Sequence, residues 1–230
     1  MMNSPDKIWF LGRSYQEYLS MFNLDHDFLK DRRVLDCAAG ASSFTAWACD
    51  NGINATATDV LYGMDLEQLR ETFIHDFSTL LQVHSGLDQK VDWGFFQNSE
   101  EMIEDRLKTC NNFITHYEKH PERYVQGQLP HLPFTDGHFD LALSSHLLFL
   151  YDDRLDYLFH TESIQEMLRV AEEVRIYPIV SLSGYGNRSP YVKRIMEDIG
   201  RLGDVDIVKV DYRFRKGGEE MMRLKKDQGS

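Results

Sequence analysis

The chain has 230 residues, 42% of them apolar, which suits one sizeable domain around a single core. Its 25 basic against 37 acidic residues give a formal net charge of -12. This opposes binding to phosphate backbones, whose affinity comes from Lys and Arg, so no nucleic-acid partner is expected. Cys37, Cys49 and Cys110 are too few and too scattered for a disulfide framework or a zinc site, and point to a reducing cytosol. No stretch approaches the about 20 apolar residues that span a bilayer, and the N-terminus lacks a basic segment leading into an apolar run. The expectation is a cytoplasmic protein with no membrane partner and no metal.

In chain order, Ser14-Tyr15-Gln16-Glu17 is a capping-box pattern that opens a short helix with Tyr18, Leu19 and Phe22. The run Val34-Leu35-Asp36-Cys37-Ala38-Ala39-Gly40-Ala41-Ser42-Ser43-Phe44 reads as a strand that ends on a carboxylate and turns through small residues into a helix. A dinucleotide-binding turn would place glycines where Ala38, Gly40 and Ser43 stand, so two of the three are missing. Asp36 at the strand tip would repel a pyrophosphate but attract an ammonium group. The ligand end at this turn is therefore cationic, as is the methionyl end of S-adenosylmethionine. A ribose needs an acid about 20 residues further on, and Asp59 closes the next apolar segment, residues 53–58.

Here the chain resembles the class I S-adenosylmethionine-dependent methyltransferases of small-molecule type. The run Val125-Gln126-Gly127-Gln128-Leu129-Pro130-His131-Leu132-Pro133-Phe134-Thr135-Asp136-Gly137-His138-Phe139-Asp140-Leu141 is similar to the family's third-strand end, Leu-Pro-Phe loop and Phe-Asp-Leu entry to strand four. Ala38 departs from the family's first glycine. Gln128 stands where an aspartate usually meets the adenine amino group, although an amide oxygen still accepts that hydrogen bond. The resemblance implies an α/β fold, a Rossmann-like seven-stranded sheet of order 3-2-1-4-5-7-6 with helices on both faces and a C-terminal antiparallel hairpin. It implies S-adenosylmethionine as cofactor, S-adenosylhomocysteine as product, and contacts from Arg13, Asp36, Cys37, Ala38, Gly40, Ser42, Ser43, Asp59, Val60, Gln128, Leu129, Ser144 and Ser145. The N-terminal helix of the family often closes over the methionyl end, which makes Arg13, Tyr15 and Tyr18 candidates for its carboxylate or for the substrate.

Between Asp59 and a third strand near residues 123–127 lies more chain than one crossover needs. Leu66, Leu69, Phe73, Phe77, Leu80 and His84 have helical spacing, and so do Ile103, Leu107, Cys110, Ile114 and Tyr117. The second helix is the ordinary crossover. The first, with Trp93-Gly94-Phe95-Phe96, makes residues 62–98 an insertion that is either a lid or a packing elaboration. Strand four is read at 140–144. A helix follows with a capping-box pattern at Ser163 and Glu166, and strand five is read at 174–182. After a loop at 183–190, Pro190 suits a first helical turn. Residues 205–214 and 219–224 form a hairpin around Lys216-Gly217-Gly218, and residues 227–230 fray. The basic group Arg213, Arg215, Lys216, Arg223, Lys225 and Lys226 reads as charges on an exposed hairpin.

Methyl transfer from a sulfonium can rest on positioning, with a base only where the acceptor must lose a proton. His146, just after strand four, is the candidate base, against a structural role. Tyr15, Tyr62, His131, Tyr151 and Tyr185 are further pocket candidates. No Asn/Asp-Pro-Pro-Tyr/Phe motif and no Pro-Cys nucleophile is present, which leaves a small-molecule acceptor. Trp93, Phe95, Phe96 and Phe149, placed near the mouth, favour a partly apolar one. The competing readings are a non-catalytic cofactor-binding protein that acts through a partner surface, and an NAD-dependent oxidoreductase.

Overall fold

The computed structural model describes residues 7–83, 91–183, 186–200 and 203–226. Helices α1 (Tyr15–Met21) and α2 (His26–Leu29) precede β1 (Arg33–Cys37), and α3 (Phe44–Asp50) leads to β2 (Asn54–Asp59). Then α4 (Leu66–Val83) and α5 (Ser99–Lys119) precede β3 (Tyr124–Gln126), and β4 (Phe139–Ser145) and α6 (Tyr157–Val170) lead to β5 (Ala171–Tyr177). The chain closes with α7 (Tyr191–Ile199), β6 (Gly203–Lys209) and β7 (Glu220–Lys226). The sheet runs β3-β2-β1-β4-β5-β7-β6, with β1 parallel to β2 and β4, and β7 antiparallel to both β5 and β6. This is the seven-stranded, Rossmann-like arrangement of class I methyltransferase folds expected from the sequence.

Central β1 is buried on both faces, and its side chains alternate between two cores, as a pleated strand requires. Leu35 and Cys37 pack toward α6 and α7, beside Ile164, Met167 and Ile195. Val34 faces α1 and α3, beside Tyr18, Phe22 and Phe44. Asp36 shares the face of Val34, so its carboxylate points at α1. Fully burying one such aliphatic side chain contributes about 1.5–3 kcal/mol, and the two layers hold the strand tips rigidly in line.

Several boundaries differ from the sequence reading. Helix α6 starts at Tyr157, because Asp156 accepts a hydrogen bond from Phe159 N at 2.8 Å and caps it. Ser163 and Glu166 are one turn apart inside that helix, where the capping-box spacing merely places them on one face. Strand β5 begins at Ala171 and ends before Pro178, so residues 178–182 leave the sheet. Strand β6 stops at Lys209, and residues 210–219 form a long connection with Val210 and Tyr212 buried beneath it. Predicted features at His84, Tyr185 and residues 227–230 lie outside the described residues.

The segment before α1 is a strap laid along the β1–α3 turn. Its Leu11 carbonyl accepts from Ala41 N at 3.3 Å and its Arg13 carbonyl from Ser43 N at 3.2 Å. A Cβ on Gly40 would lie 2.2 Å from the Leu11 oxygen, and one on Gly12 would lie 2.0 Å from the Ala41 oxygen. Glycine at both positions is thus explained by backbone against backbone. Asp76 of α4 pins the strap from the other side, accepting from Lys7 Nζ at 2.5 Å and from Phe10 N at 2.9 Å.

Candidate active site

The sheet order reverses between β1 and β4, and the carboxyl ends of strands at such a switch point frame a crevice. A cleft of about 330 Å³ opens there, within the range of about 300–1,000 Å³ usual for small-molecule sites. Four successive strand ends supply its floor: Cys37, Ala38 and Gly40 after β1; Asp59 and Val60 at β2; Gln128 and Leu129 after β3; Ser145 and His146 at β4. The strap forms its roof, from Lys7 through Arg13.

The β1–α3 turn is fixed from β2. Asp59 accepts from Gly40 N and from Leu61 N, each at 3.0 Å, one bond per carboxylate oxygen. Each oxygen keeps a lone pair for a further donor. Burial raises the Asp59 pKa, against which these two amide bonds act. Gly40 takes a φ of +59° and Ala38 a φ of +56°, the left-handed region that costs an alanine about 1–2 kcal/mol. Val60 remains 47% exposed and, with buried Leu129, gives the cleft apolar lining.

Asp36 does not line the cleft. It is wholly buried, accepts from Tyr18 Oη at 2.8 Å on one oxygen, and leaves the other facing Ser42 without a hydrogen bond of normal geometry. Burial pushes its carboxyl up to about 7. Tyr18 does line the cleft and relays Asp36 to it. Ser42, Ser43 and Ser144 are buried behind the floor; Ser42 and Ser43 serve the chain itself, accepting from Phe44 N at 3.0 Å and Tyr15 N at 3.1 Å. Tyr15 stacks on Trp47, Tyr62 sits under the turn with its hydroxyl on the Gly40 carbonyl at 2.7 Å, and His131 is exposed outside the cleft. Tyr151 is a lining residue, as expected. Cys37 lines the cleft too, but burial drives its thiol pKa far up, so it is a packing group and no nucleophile.

His146 has a φ of +57°, held by its amide on the Tyr177 carbonyl at 2.6 Å, with Nδ1 2.8 Å from Ser145 Oγ. Burial first, then the charges of Arg13, Arg215 and Arg106, keep its pKa well below the usual histidine value. It is a neutral imidazole near pH 7, able to accept a proton but not to keep one. Its position is a junction, because a second cavity of about 90 Å³ adjoins the cleft and shares Arg13, His146 and Tyr151 with it. Arg106 and Arg215 complete that cavity together with Phe214 and Met102.

Arg106 comes from α5 and is bound through both amino groups to Glu17 of α1, which also accepts from Tyr212 Oη and from Ser14 N. The capping box thus exists, and its glutamate is simultaneously the counter-ion of a buried arginine. Trp93, Phe95 and Phe96 pack on Tyr212, Phe214 and Arg106 rather than at the mouth, and Phe149 lies in the core between α6 and the sheet.

No family model matches the chain. The uncharacterized protein MJ0045 of Methanocaldococcus jannaschii is 34% identical over 226 residues, which cover 98% of this chain and 99% of that protein. The chain belongs to the family of that protein. Among solved structures, the bifunctional kinase-methyltransferase WbdD is similar with a TM-score of 0.50 and 11% identity over 92% of this chain and 38% of that one. A TehB-like SAM-dependent methyltransferase from Corynebacterium glutamicum gives 0.45 and 14% identity over 97% and 91% of the two chains. At such identities the likeness is one of fold.

The sequence reading missed Tyr18 as the link to Asp36, the strap residues Trp9 and Leu11, and Arg106 and Arg215 as cavity walls. The capping-box glutamate was the available signal for Arg106: a carboxylate one turn into an aromatic, buried helix needs a cation.

Proposed function

We propose that the protein is an S-adenosylmethionine-dependent methyltransferase acting on a small-molecule acceptor. The observation that carries this reading is the pairing of Asp59, at the tip of β2 with free lone pairs on both oxygens, with a glycine-and-alanine turn and an apolar Val60–Leu129 slot in one cleft at the sheet's switch point. These residues fit the cofactor. Asp59 suits the ribose hydroxyls, Val60 and Leu129 the faces of the adenine, and the exposed Gln128 amide its amino group. The Tyr18 hydroxyl at the cleft, backed by the buried Asp36 carboxyl to which it donates, suits a cationic methionyl end. The bound group supplies an activated methyl on a sulfonium.

The chain's own residues position and exclude. The strap and the strand tips close the cleft on both sides, so the acceptor enters by the cavity beyond His146. There the neutral imidazole offers a hydrogen-bond acceptor to a donor atom that must lose a proton, and Ser145 orients the ring. In this reading α4, which brings Asp76 to the cleft and Leu80 to the adjoining cavity, is a lid over both.

Calorimetric titration with S-adenosylmethionine and S-adenosylhomocysteine, with NADH as control, tests the proposal. Binding of the first two and not of NADH is expected, and Asp59→Ala should weaken S-adenosylhomocysteine about tenfold or more, since a hydrogen bond to a charged group contributes about 1.5–3 kcal/mol. Unchanged affinity in that variant would sink the assignment, and NADH binding would favour the oxidoreductase reading.

A further inference from the structure

Of the basic residues in the C-terminal hairpin, three pair with neighbouring carboxylates. Arg213 pairs with Asp92 at 2.9 Å, Arg223 with Asp206 at 2.6 Å, and Lys225 with Glu173 at 3.2 Å. Arg215 differs. It turns inward to the wall of the 90 Å³ cavity, is half-buried, and its guanidinium has no carboxylate and no hydrogen-bond partner among the described residues. Arg13, which lines the same cavity, gives one hydrogen bond to the Gly12 carbonyl at 3.3 Å and leaves a buried Nε without a hydrogen-bond partner; its distance to the Glu17 carboxylate is 3.9 Å. Arg106 is the third cation there, and its charge is already engaged by Glu17 and, through the same Nη1, by Asp105 at 3.1 Å.

Three guanidiniums thus share one small cavity in an acidic protein, with Glu17 and Asp105 as the facing carboxylates. Gathering like charges half out of water is costly unless an anion joins them. Burial first, and then repulsion from Arg106 on Arg13 and from Arg13 on Arg215, lowers the pKa of both Arg13 and Arg215. The remaining lining, including Leu80, Met102, Leu182 and Phe214, is apolar. Resting on the methyltransferase reading above, we propose that this cavity is the acceptor subsite and that it takes a small carboxylic acid, whose carboxylate lies between Arg215 and Arg13 and whose apolar body leads past His146 to the cofactor cleft. A guanidinium fork matches a carboxylate in two parallel bonds. The cavity's small volume suits that group, with one apolar wall for the body, better than a nucleotide. The acceptor also changes its own base: its negative charge beside His146 opposes the arginine field that holds the imidazole neutral.

The test is titration of the full chain with benzoate, 3-phenylpropionate and inorganic phosphate, with benzamide as the uncharged control, alone and in saturating S-adenosylhomocysteine. An aromatic carboxylate should bind with benzamide inert. Arg215→Met should weaken it about tenfold or more, Arg215→Lys should restore part of the loss, and both variants should bind S-adenosylhomocysteine as the parent does. If S-adenosylhomocysteine competes with the carboxylate and loses the same factor in Arg215→Met, the arginines hold the cofactor's own carboxylate and the proposal is overturned. Phosphate binding in preference to both carboxylates, or no anion binding at all, overturns it too. Failure of S-adenosylhomocysteine to bind removes the cofactor reading alone, because carboxylate binding is read independently of it.

Discussion

Residues 17 and 18 of α1 reach two fully buried carboxylates whose surroundings drive them in opposite directions. Burial alone would raise the pKa of Glu17, but the Arg106 and Arg13 charges and the hydrogen bonds from Arg106 and Tyr212 hold it below the ordinary carboxylate range. Asp36 has hydroxyls and, among the described residues, no cation beside it, and burial, with the Asp59 charge nearby, pushes it up to about 7. The lesson is that burial does not decide the charge state; the partner does. One helix therefore sets a permanently ionised wall on the arginine side of the site and a titratable, half-satisfied carboxyl behind the cofactor side.

The comparison breaks most severely at Glu17. Glu17→Gln leaves Arg106, 2% exposed, with only the partly exposed Asp105 carboxylate at 3.1 Å as counter-charge, and removing one partner of a buried pair typically costs about 3–5 kcal/mol. Urea unfolding should show that loss, and the double variant Glu17→Gln with Arg106→Met should recover much of it. A single variant as stable as the parent would show that Asp105 alone suffices as the counter-ion of Arg106.

The Asp36 side sharpens the contrast through pH. Its folded pKa, about 7, lies above the ordinary unfolded value, so its contribution to stability is fully present below about pH 4 and is lost as pH rises through about 7. Asp36→Asn mimics the protonated carboxyl at every pH. It should come closest to the parent near pH 4, exceed it by about 1–1.5 kcal/mol at pH 5 and by about 2–4 kcal/mol at pH 8, from about 1.4 kcal/mol per pKa unit with allowance for relaxation. Equal stability differences at pH 5 and pH 8 would mean that Asp36 is ionised throughout and has a cation not seen here.

Much of this architecture was legible in the chain. Strand β1, the turn at residues 38–43 and Asp59 are short-range patterns, in which apolar runs end on acids and small residues mark where backbones approach. The run from Gln128 to Leu141 was equally readable. The strap was not, because Ile8-Trp9-Phe10-Leu11 carries no periodicity of its own and its shape comes from Ala41, Ser43 and Asp76, far away in sequence. Nor could the inward turn of Arg215 be told from Arg213 and Arg223. The three differ only in whether β6 has ended and in which neighbour offers a carboxylate. Nor does the sequence show that the Ser42 and Ser43 hydroxyls, which look available to a ligand, accept from Phe44 N and Tyr15 N of the chain itself.

The smallest effect belongs to Ala38, at the seam between the two sides, where the resemblance led one to expect glycine and the backbone adopts the φ of +56° that glycine tolerates freely. Ala38→Gly removes a left-handed penalty of about 1–2 kcal/mol but adds unfolded-chain entropy worth about 0.4–1 kcal/mol. The expected net is a stabilisation of between about 0 and 1.6 kcal/mol, or a rise in Tm of about 3–6 °C at most for a chain of this size. Affinity for S-adenosylhomocysteine should hold, because the turn is fixed at Gly40 by Asp59 and Tyr62 rather than by the alanine methyl. A clear drop in Tm would show that the methyl packs usefully in the cleft, and that alanine stands there for contact despite its backbone.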